Sequence, residues 1–270
     1  WLSPYGISSA EGFFESMSGL TTTGSTILTG LDNLPRGILI WRSMLQWLGG
    51  IGIVAIGLFL FPFLRIGGMQ FFRTESSDRS EKAVPRMVNL TAALMAFYAV
   101  LTAACALVYA ALGMDLFDAI NHAMTTVSTG GYSTHDASFG YFGDNLGLIW
   151  AAVLFMLAGA LPFVLYVEFV LRGRLSLFRD VQVRVYVTAI AIVSVLLAIW
   201  VYLNSNLDFF QSLSRSAFNV VSIVTTTGFA SEDYSLWGTF AVGLFFLLTF
   251  IGGCSGSTSG GIKIYRLLII

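Results

Sequence analysis

The sequence predicts an all-α integral membrane protein, built from repeated units of span, short helix, Thr-Gly loop and second span. Three observations predict it. Of 270 residues, 56% are hydrophobic and only 11% charged, where soluble domains carry roughly 25% charged residues. Several apolar stretches approach the ~20 residues needed to cross a bilayer. A small-residue motif ending in glycine recurs after each of three short helical segments.

Five stretches read as spans: Gly37–Leu64, Val88–Leu112, Leu146–Leu171, Val185–Leu203 and Leu236–Ile251. The last breaks into Gly252–Gly261 and resumes at Ile262–Ile270. Such a break survives at membrane depth only where protein or a water-filled cavity shields the freed backbone. Pro162 is expected to kink its span. Ala10–Leu20, Phe117–Val127 and Phe209–Val224 are too short or too polar to cross and read as re-entrant or interfacial helices. Arg65, Arg73, Arg79, Lys82 and Arg86 form one basic cluster; Arg172, Arg174, Arg179 and Arg184 form another; Lys263 and Arg266 follow the broken span. If the spans alternate, all three share one side, which the positive-inside rule makes cytoplasmic. Asp32, Asp115, Asp118, Asp136, Asp144, Asp208, Glu232 and Asp233 then lie toward the outer face. There they either concentrate cations or are ordinary loop charge.

The repeat is Leu20-Thr21-Thr22-Thr23-Gly24-Ser25, Val127-Ser128-Thr129-Gly130-Gly131-Tyr132 and Val224-Thr225-Thr226-Thr227-Gly228-Phe229. Aligned on the Thr-Gly pair, Gly24, Gly130 and Gly228 recur at roughly 100-residue intervals. Nine residues before each stands a polar residue: Glu15, Asn121 and Asn219. The chemistry suits a cation filter. A dehydrated cation needs oxygen ligands, which loop carbonyls supply. Glycine reaches positive φ, and Thr and Ser add hydroxyls. A short helix ending at mid-membrane aims the negative end of its dipole at the cavity. A single such cluster would read as helix packing through small residues; three in the same context point to a filter.

These motifs, with the broken span Gly252–Lys263, resemble the Trk/Ktr/HKT superfamily of potassium transporters, most of all its TrkH-type membrane subunits. The resemblance covers essentially the whole chain. It implies four units around a pseudo-fourfold pore, of which this chain carries three filter loops, without the first leading span and the fourth unit. The units would be 1–86, 87–180 and 181–270. The implied potassium site comprises Thr22, Thr23, Gly24, Ser25, Ser128, Thr129, Gly130, Gly131, Thr226, Thr227, Gly228 and Phe229. Gly24, Gly130 and Gly228 match the family's filter glycine. Glycine at the first position leans toward potassium, because some plant relatives with serine there favour sodium. The implied gate comprises Gly252, Gly253, Cys254, Ser255, Gly256, Ser257, Thr258, Ser259, Gly260, Gly261 and Lys263. Ten residues so rich in Gly and Ser cannot hold a stable helix, so the segment is expected to move. Lys263 fits a pore plug or a cytoplasmic anchor equally well. The resemblance also implies channel-like potassium uptake across the cytoplasmic (inner) membrane, a homodimer and a nucleotide-binding cytoplasmic regulatory ring like TrkA. Potassium is substrate, and no cofactor is expected.

The remaining residues exclude other classes. Net charge is −1, which disfavours a nucleic-acid partner. Cys105 and Cys254 give no disulfide framework. With only His122 and His135, a His-based site is poorly supplied, and His122 reads as structural. Gly252–Gly261 lacks the Gly-Lys-Ser/Thr ending of a nucleotide-binding loop. No paired catalytic residues appear, so no enzyme is expected. Arg42 and Arg215 are expected to neutralise nearby carboxylates such as Glu15, and Glu168 to pair with Arg172. A sodium- or proton-coupled transporter and a non-transporting scaffold remain as alternatives.

Overall fold

Short polar side chains open the short helices at their N-terminal ends. In α1 (Ser9–Leu20), Glu11 N–H donates to Ser8 Oγ at 3.3 Å and Ser8 N–H donates to Glu11 Oε2 at 2.7 Å, a reciprocal cap. With α2 (Arg36–Leu64), α3 (Ala83–Ala111), α4 (Leu116–Val127), α5 (Leu146–Ala160), α6 (Phe163–Arg172), α7 (Ser176–Arg179), α8 (Val181–Asn204), α9 (Phe209–Val224), α10 (Thr239–Leu248) and α11 (Ile264–Leu267), it makes an all-helical fold among the described residues. Asp115 caps α4 through Phe117 N–H, and Asp208 caps α9 through Phe210 N–H, each at 3.1 Å. The structure is a computed structural model, and it describes residues 6–64, 83–172 and 176–269.

Among the described residues, three helices are long and apolar enough to cross a membrane: Arg36–Val54, Leu90–Ala111 and Val181–Asn204. The expected span Leu146–Leu171 is instead two helices, α5 and α6, bent by 95°. Leu161 is extended (φ −90°, ψ 160°), as the residue before a proline must tend to be. Pro162 thus breaks the span where a kink was expected. The expected span Leu236–Ile251 is α-helical only over Thr239–Leu248, after a 3-10 turn over Tyr234–Trp237 and an entry through Gly238 at φ +96°.

Two of the short helices, α4 and α9, sit inside, whereas α1 is largely exposed. α4 packs against α2, α3 and α5, and α9 against α5 and α8. The last seven residues of α4, Asn121–Val127, are all buried, as are Ser216–Ser222 of α9. α1 packs on α2, with Phe13 and Phe14 exposed. Around α4 and α9 lies one apolar core that includes Tyr98, Tyr109, Phe139, Phe163, Phe218 and Phe229. Arg65, Arg73, Arg79, Lys82 and Arg174 lie outside the described residues, as do the side chains of Arg86 and Arg172 and hence the Glu168 pairing. Arg179 and Arg184 flank the start of α8, and Asp208 follows its end 24 helical residues later.

Candidate functional site

The three short helices end alike. Thr21, Ser128 and Thr225 are their C-caps. The next residues, Thr22, Thr129 and Thr226, turn to φ +54°, +53° and +58°. Their N–H groups bond the carbonyls of Gly19, Thr126 and Ile223 at 3.0, 3.1 and 2.9 Å. The N–H groups of Thr23, Gly130 and Thr227 reach back to Ser18, Thr125 and Ser222, each at 2.9 Å. This is a Schellman ending, but with threonine where glycine is usual. A β-branched residue in that conformation is a genuine outlier, and such strain gathers at functional loops. Two residues on, Gly24, Gly131 and Gly228 take φ +79°, +77° and +85°. The sign of φ therefore alternates through each loop. That alternation can turn successive carbonyls to one side, as a dehydrated cation requires.

The backbone corrects the register of the second loop. The residue equivalent to Gly24 and Gly228 is Gly131, not Gly130, whose φ is not positive. Nine residues before Gly131 stands His122, not Asn121. The three true equivalents all pin the outgoing arm of their own loop. Glu15 accepts from Thr26 Oγ1 at 2.9 Å and from Ile27 N–H at 3.1 Å. Asn219 accepts from Ser231 N–H at 3.3 Å and donates to Ser231 Oγ at 2.8 Å. His122 holds Asp118 O at 2.9 Å through Nδ1 and Ser133 Oγ at 3.0 Å through Nε2. The carbonyl can only accept, so Nδ1 carries a proton. Asn121 only closes on its own helix, donating to Phe117 O at 2.7 Å. His122 is thus structural as expected, but in a role the sequence reading gave to its neighbour. Aligning Leu20, Val127 and Val224 would have found it.

The loops touch in sequence. A Cβ on Gly24 would lie 2.2 Å from Gly130 O, and one on Gly131 would lie 1.9 Å from Thr227 O. The carbonyl before one loop's positive-φ glycine thus abuts the positive-φ glycine of the loop before it. Helix α2 stitches loops one and two together. Arg42 Nε donates to Glu15 Oε1 at 2.8 Å, Nη2 to Thr26 Oγ1 at 3.0 Å and Nη1 to Ser133 O at 3.3 Å. Its guanidinium stacks 4.1 Å above Tyr132. Both arginines meet a carboxylate as expected: Arg42 the expected Glu15, and Arg215 Glu232, a partner the sequence reading does not name.

Gly252–Lys263 is tied to its neighbours in the fold by backbone hydrogen bonds. Gly252 N–H donates to Ile262 O at 2.9 Å, closing the loop on itself. Cys254 N–H donates to Ala160 O at 3.0 Å and Thr258 N–H to Gly159 O at 3.2 Å, while Gly256 O accepts from Phe163 N–H at 3.0 Å. The orphaned ends of the α5–α6 break and of the broken loop therefore satisfy each other, which makes both breaks tolerable. The loop also meets the strained threonines. Thr129 Oγ1 donates to Thr258 Oγ1 at 3.2 Å, and Gly260 N–H donates to Thr226 Oγ1 at 2.7 Å. Gly253 N–H bonds Ser259 Oγ, and Ser257 Oγ bonds Cys254 O. Ser255 and Gly261 are exposed, and Lys263 folds back to donate to Ser259 O.

Most outer acids are engaged in structure. Asp115, Asp208 and Asp233 cap helices; Asp136 accepts from Leu31 N–H at 3.1 Å. His135 lies between Asp32 on Nδ1 and Asp118 at 3.1 Å on Nε2, and stacks on Tyr141 at 3.6 Å. The bond from His135 is the chief cause that holds the Asp32 carboxyl below its ordinary range; partial burial opposes it. Because the folded value is depressed, this stabilisation is present above the ordinary carboxylate range and is lost as pH falls through the lowered value. Asp32→Asn is therefore expected to lower the thermal unfolding midpoint at pH 7, by a difference that shrinks progressively as pH falls below the ordinary carboxylate range. A difference that does not shrink with acid would overturn this.

Similarity to known proteins follows the same outline. The family model of TrkH cation transport proteins matches residues 3–270. The chain is 48% identical over 263 residues to the Trk system potassium uptake protein TrkI of Halomonas elongata, covering 97% of this chain and 53% of that protein. It is 39% identical over 265 residues to the Trk system potassium uptake protein TrkH of Escherichia coli K12, covering 96% of this chain and 54% of that one. Its fold superposes on a crystal structure of the potassium transporter TrkH from Vibrio parahaemolyticus with TM-score 0.87 at 37% identity, over 97% of this chain and 54% of the other. The chain spans about half the length of the curated relatives it matches.

Proposed function

The chain belongs to the TrkH family of cation transport proteins, and from that premise we propose that it forms the larger part of a potassium permeation path. Potassium passes, in this reading, through carbonyls of Thr22–Ser25, Ser128–Gly131 and Thr226–Phe229, with a fourth loop completing a pseudo-fourfold ring. The units run over 1–86, 87–180 and 181–270. The observation that carries the proposal is the three-fold recurrence of one strained backbone, αL threonine followed by αL glycine, at the C-terminal ends of three short helices. A packing device would not need the same costly geometry three times. The Gly252–Lys263 loop, bonded to Thr129 and Thr226, serves as the gate beneath the filter. The relatives' names, potassium uptake proteins, support the choice of ion. The rest of the proposal follows from family membership: the inner membrane as location, a second copy of the chain, and a nucleotide-binding cytoplasmic ring.

The test is rubidium uptake by the full-length protein in cells lacking other potassium uptake. Flux is expected to follow the electrochemical gradient without requiring sodium or a proton gradient. A strict requirement for either ion would replace channel-like permeation with coupled transport. No uptake at all from correctly inserted protein would leave a scaffold.

A further inference from the structure

Gln46 on α2 is fully buried, far in sequence from any filter motif. Its amide is spent on the second loop. Nε2 donates to Gly130 O at 2.7 Å, and Oε1 accepts from Tyr132 N–H at 3.0 Å. The two bonds hold the peptide groups on either side of Gly131. We propose that Gln46 is a positioning residue that sets the carbonyl register of the second loop, and through it the potassium-over-sodium discrimination of the path. The inference rests on the permeation reading above.

The second loop differs from its neighbours in a way that Gln46 accounts for. The position of Gly130 is held by Thr23 and Thr227 in loops one and three. Their hydroxyls bond the hydroxyls of Thr21 and Thr225 at 2.8 and 2.7 Å. Glycine at 130 is not demanded by conformation, since its φ is not positive. It is demanded by space: a Cβ there would lie 2.4 Å from both Cδ and Oε1 of Gln46. The glutamine amide thus occupies the place of a threonine side chain. It ties the loop to a helix of the first unit instead of to its own cap. Gly130 O is also the atom that abuts Gly24, so the same bond sets how loops one and two meet. Like cations are told apart by the placement and number of coordinating carbonyls. Loosening these two peptide groups should therefore relax selectivity before it stops flux.

The experiment uses the full-length protein reconstituted in liposomes, reading maximal rubidium flux and the potassium-to-sodium permeability ratio. Gln46→Met keeps the volume and removes both bonds. Gln46→Ala with Gly130→Thr removes the amide and restores the threonine of the other loops. Gln46→Met is expected to lower the ratio by roughly tenfold, with flux within about threefold of the parent. The double variant is expected to recover most of the ratio. An unchanged ratio in Gln46→Met overturns the inference while leaving permeation intact. Equal loss of flux and membrane-inserted protein in both variants also overturns it, making Gln46 a packing residue. Absence of flux in the parent protein would be the failure of the permeation reading itself.

Discussion

Replacing Gly131 with alanine is expected to cut uptake by on the order of a hundredfold, whereas the same change at Gly130 is expected to be repairable from a distance. At Gly131 two costs coincide. The backbone sits at φ +77°, which costs an L-residue about 1–2 kcal/mol. The new Cβ would also lie 1.9 Å from Thr227 O, a backbone atom that cannot rotate away. Loops two and three would have to part. Gly24→Ala meets the same two costs, at φ +79° and 2.2 Å from Gly130 O. Gly228 has φ +85° but open space at its Cβ position in this chain, so Gly228→Ala carries the conformational cost alone. Gly130 differs in kind, because its obstacle is the end of the flexible Gln46 side chain. Rubidium uptake per inserted protein should fall by on the order of a hundredfold for Gly24→Ala and Gly131→Ala, the equivalent of about 3 kcal/mol. It should fall less for Gly228→Ala, and Gly130→Ala should be restored by Gln46→Ala. Normal uptake in Gly131→Ala with an unrepairable loss in Gly130→Ala would return the register to the Thr-Gly pair.

That register shows how far the sequence could be read. The helices announce themselves because apolar length and capping residues are local signals. Ser8, Asp115 and Asp208 stand just before the helices they cap. The loops are legible because a run of Ser and Thr ending in glycine is rare between apolar segments. Gly130-Gly131, however, satisfies the motif twice, and a motif matched by residue type takes the first. Only φ distinguishes a glycine required for its backbone from one required for its missing side chain. Pro162 was legible as a disturbance but not as a 95° break. The depth of a break depends on what receives its freed carbonyls, and Cys254 and Thr258 lie almost a hundred residues away in the chain. For the same reason the partners of Gly252–Gly261 were not legible: composition reports that a segment cannot hold a helix alone, not which neighbours receive its backbone groups. Gln46 carried no local signal, since a glutamine within an apolar span gives no hint of which backbone it serves.

The second large effect concerns the buried ion pair. Arg42→Met is expected to destabilise the fold by about 3–5 kcal/mol, the usual result of stranding one member of a buried pair. Arg42 and Glu15 side chains are each only 4% exposed. Removing the guanidinium leaves Glu15 with Thr26 Oγ1 and Ile27 N–H but with no compensating charge. It also removes the donor to Ser133 O and the cation stacked on Tyr132. Tyr132 in turn donates its hydroxyl to Glu15 O at 2.9 Å and Ser25 O at 3.2 Å, so the damage reaches both outgoing arms. Neutralising the acid as well should reverse much of this. Glu15→Gln with Arg42→Met leaves no buried charge, and replacing a whole buried pair is often nearly neutral. A double-mutant cycle on thermal unfolding of the purified full-length protein should therefore show strong favourable coupling between the two sites. Uptake provides the second readout. The double variant should regain stability without regaining full transport, because Thr26 and Ser133 are still no longer held by one side chain. Coupling near zero would mean that the pair adds nothing beyond packing. Full recovery of uptake would mean that the filter arms do not depend on their common tie to α2.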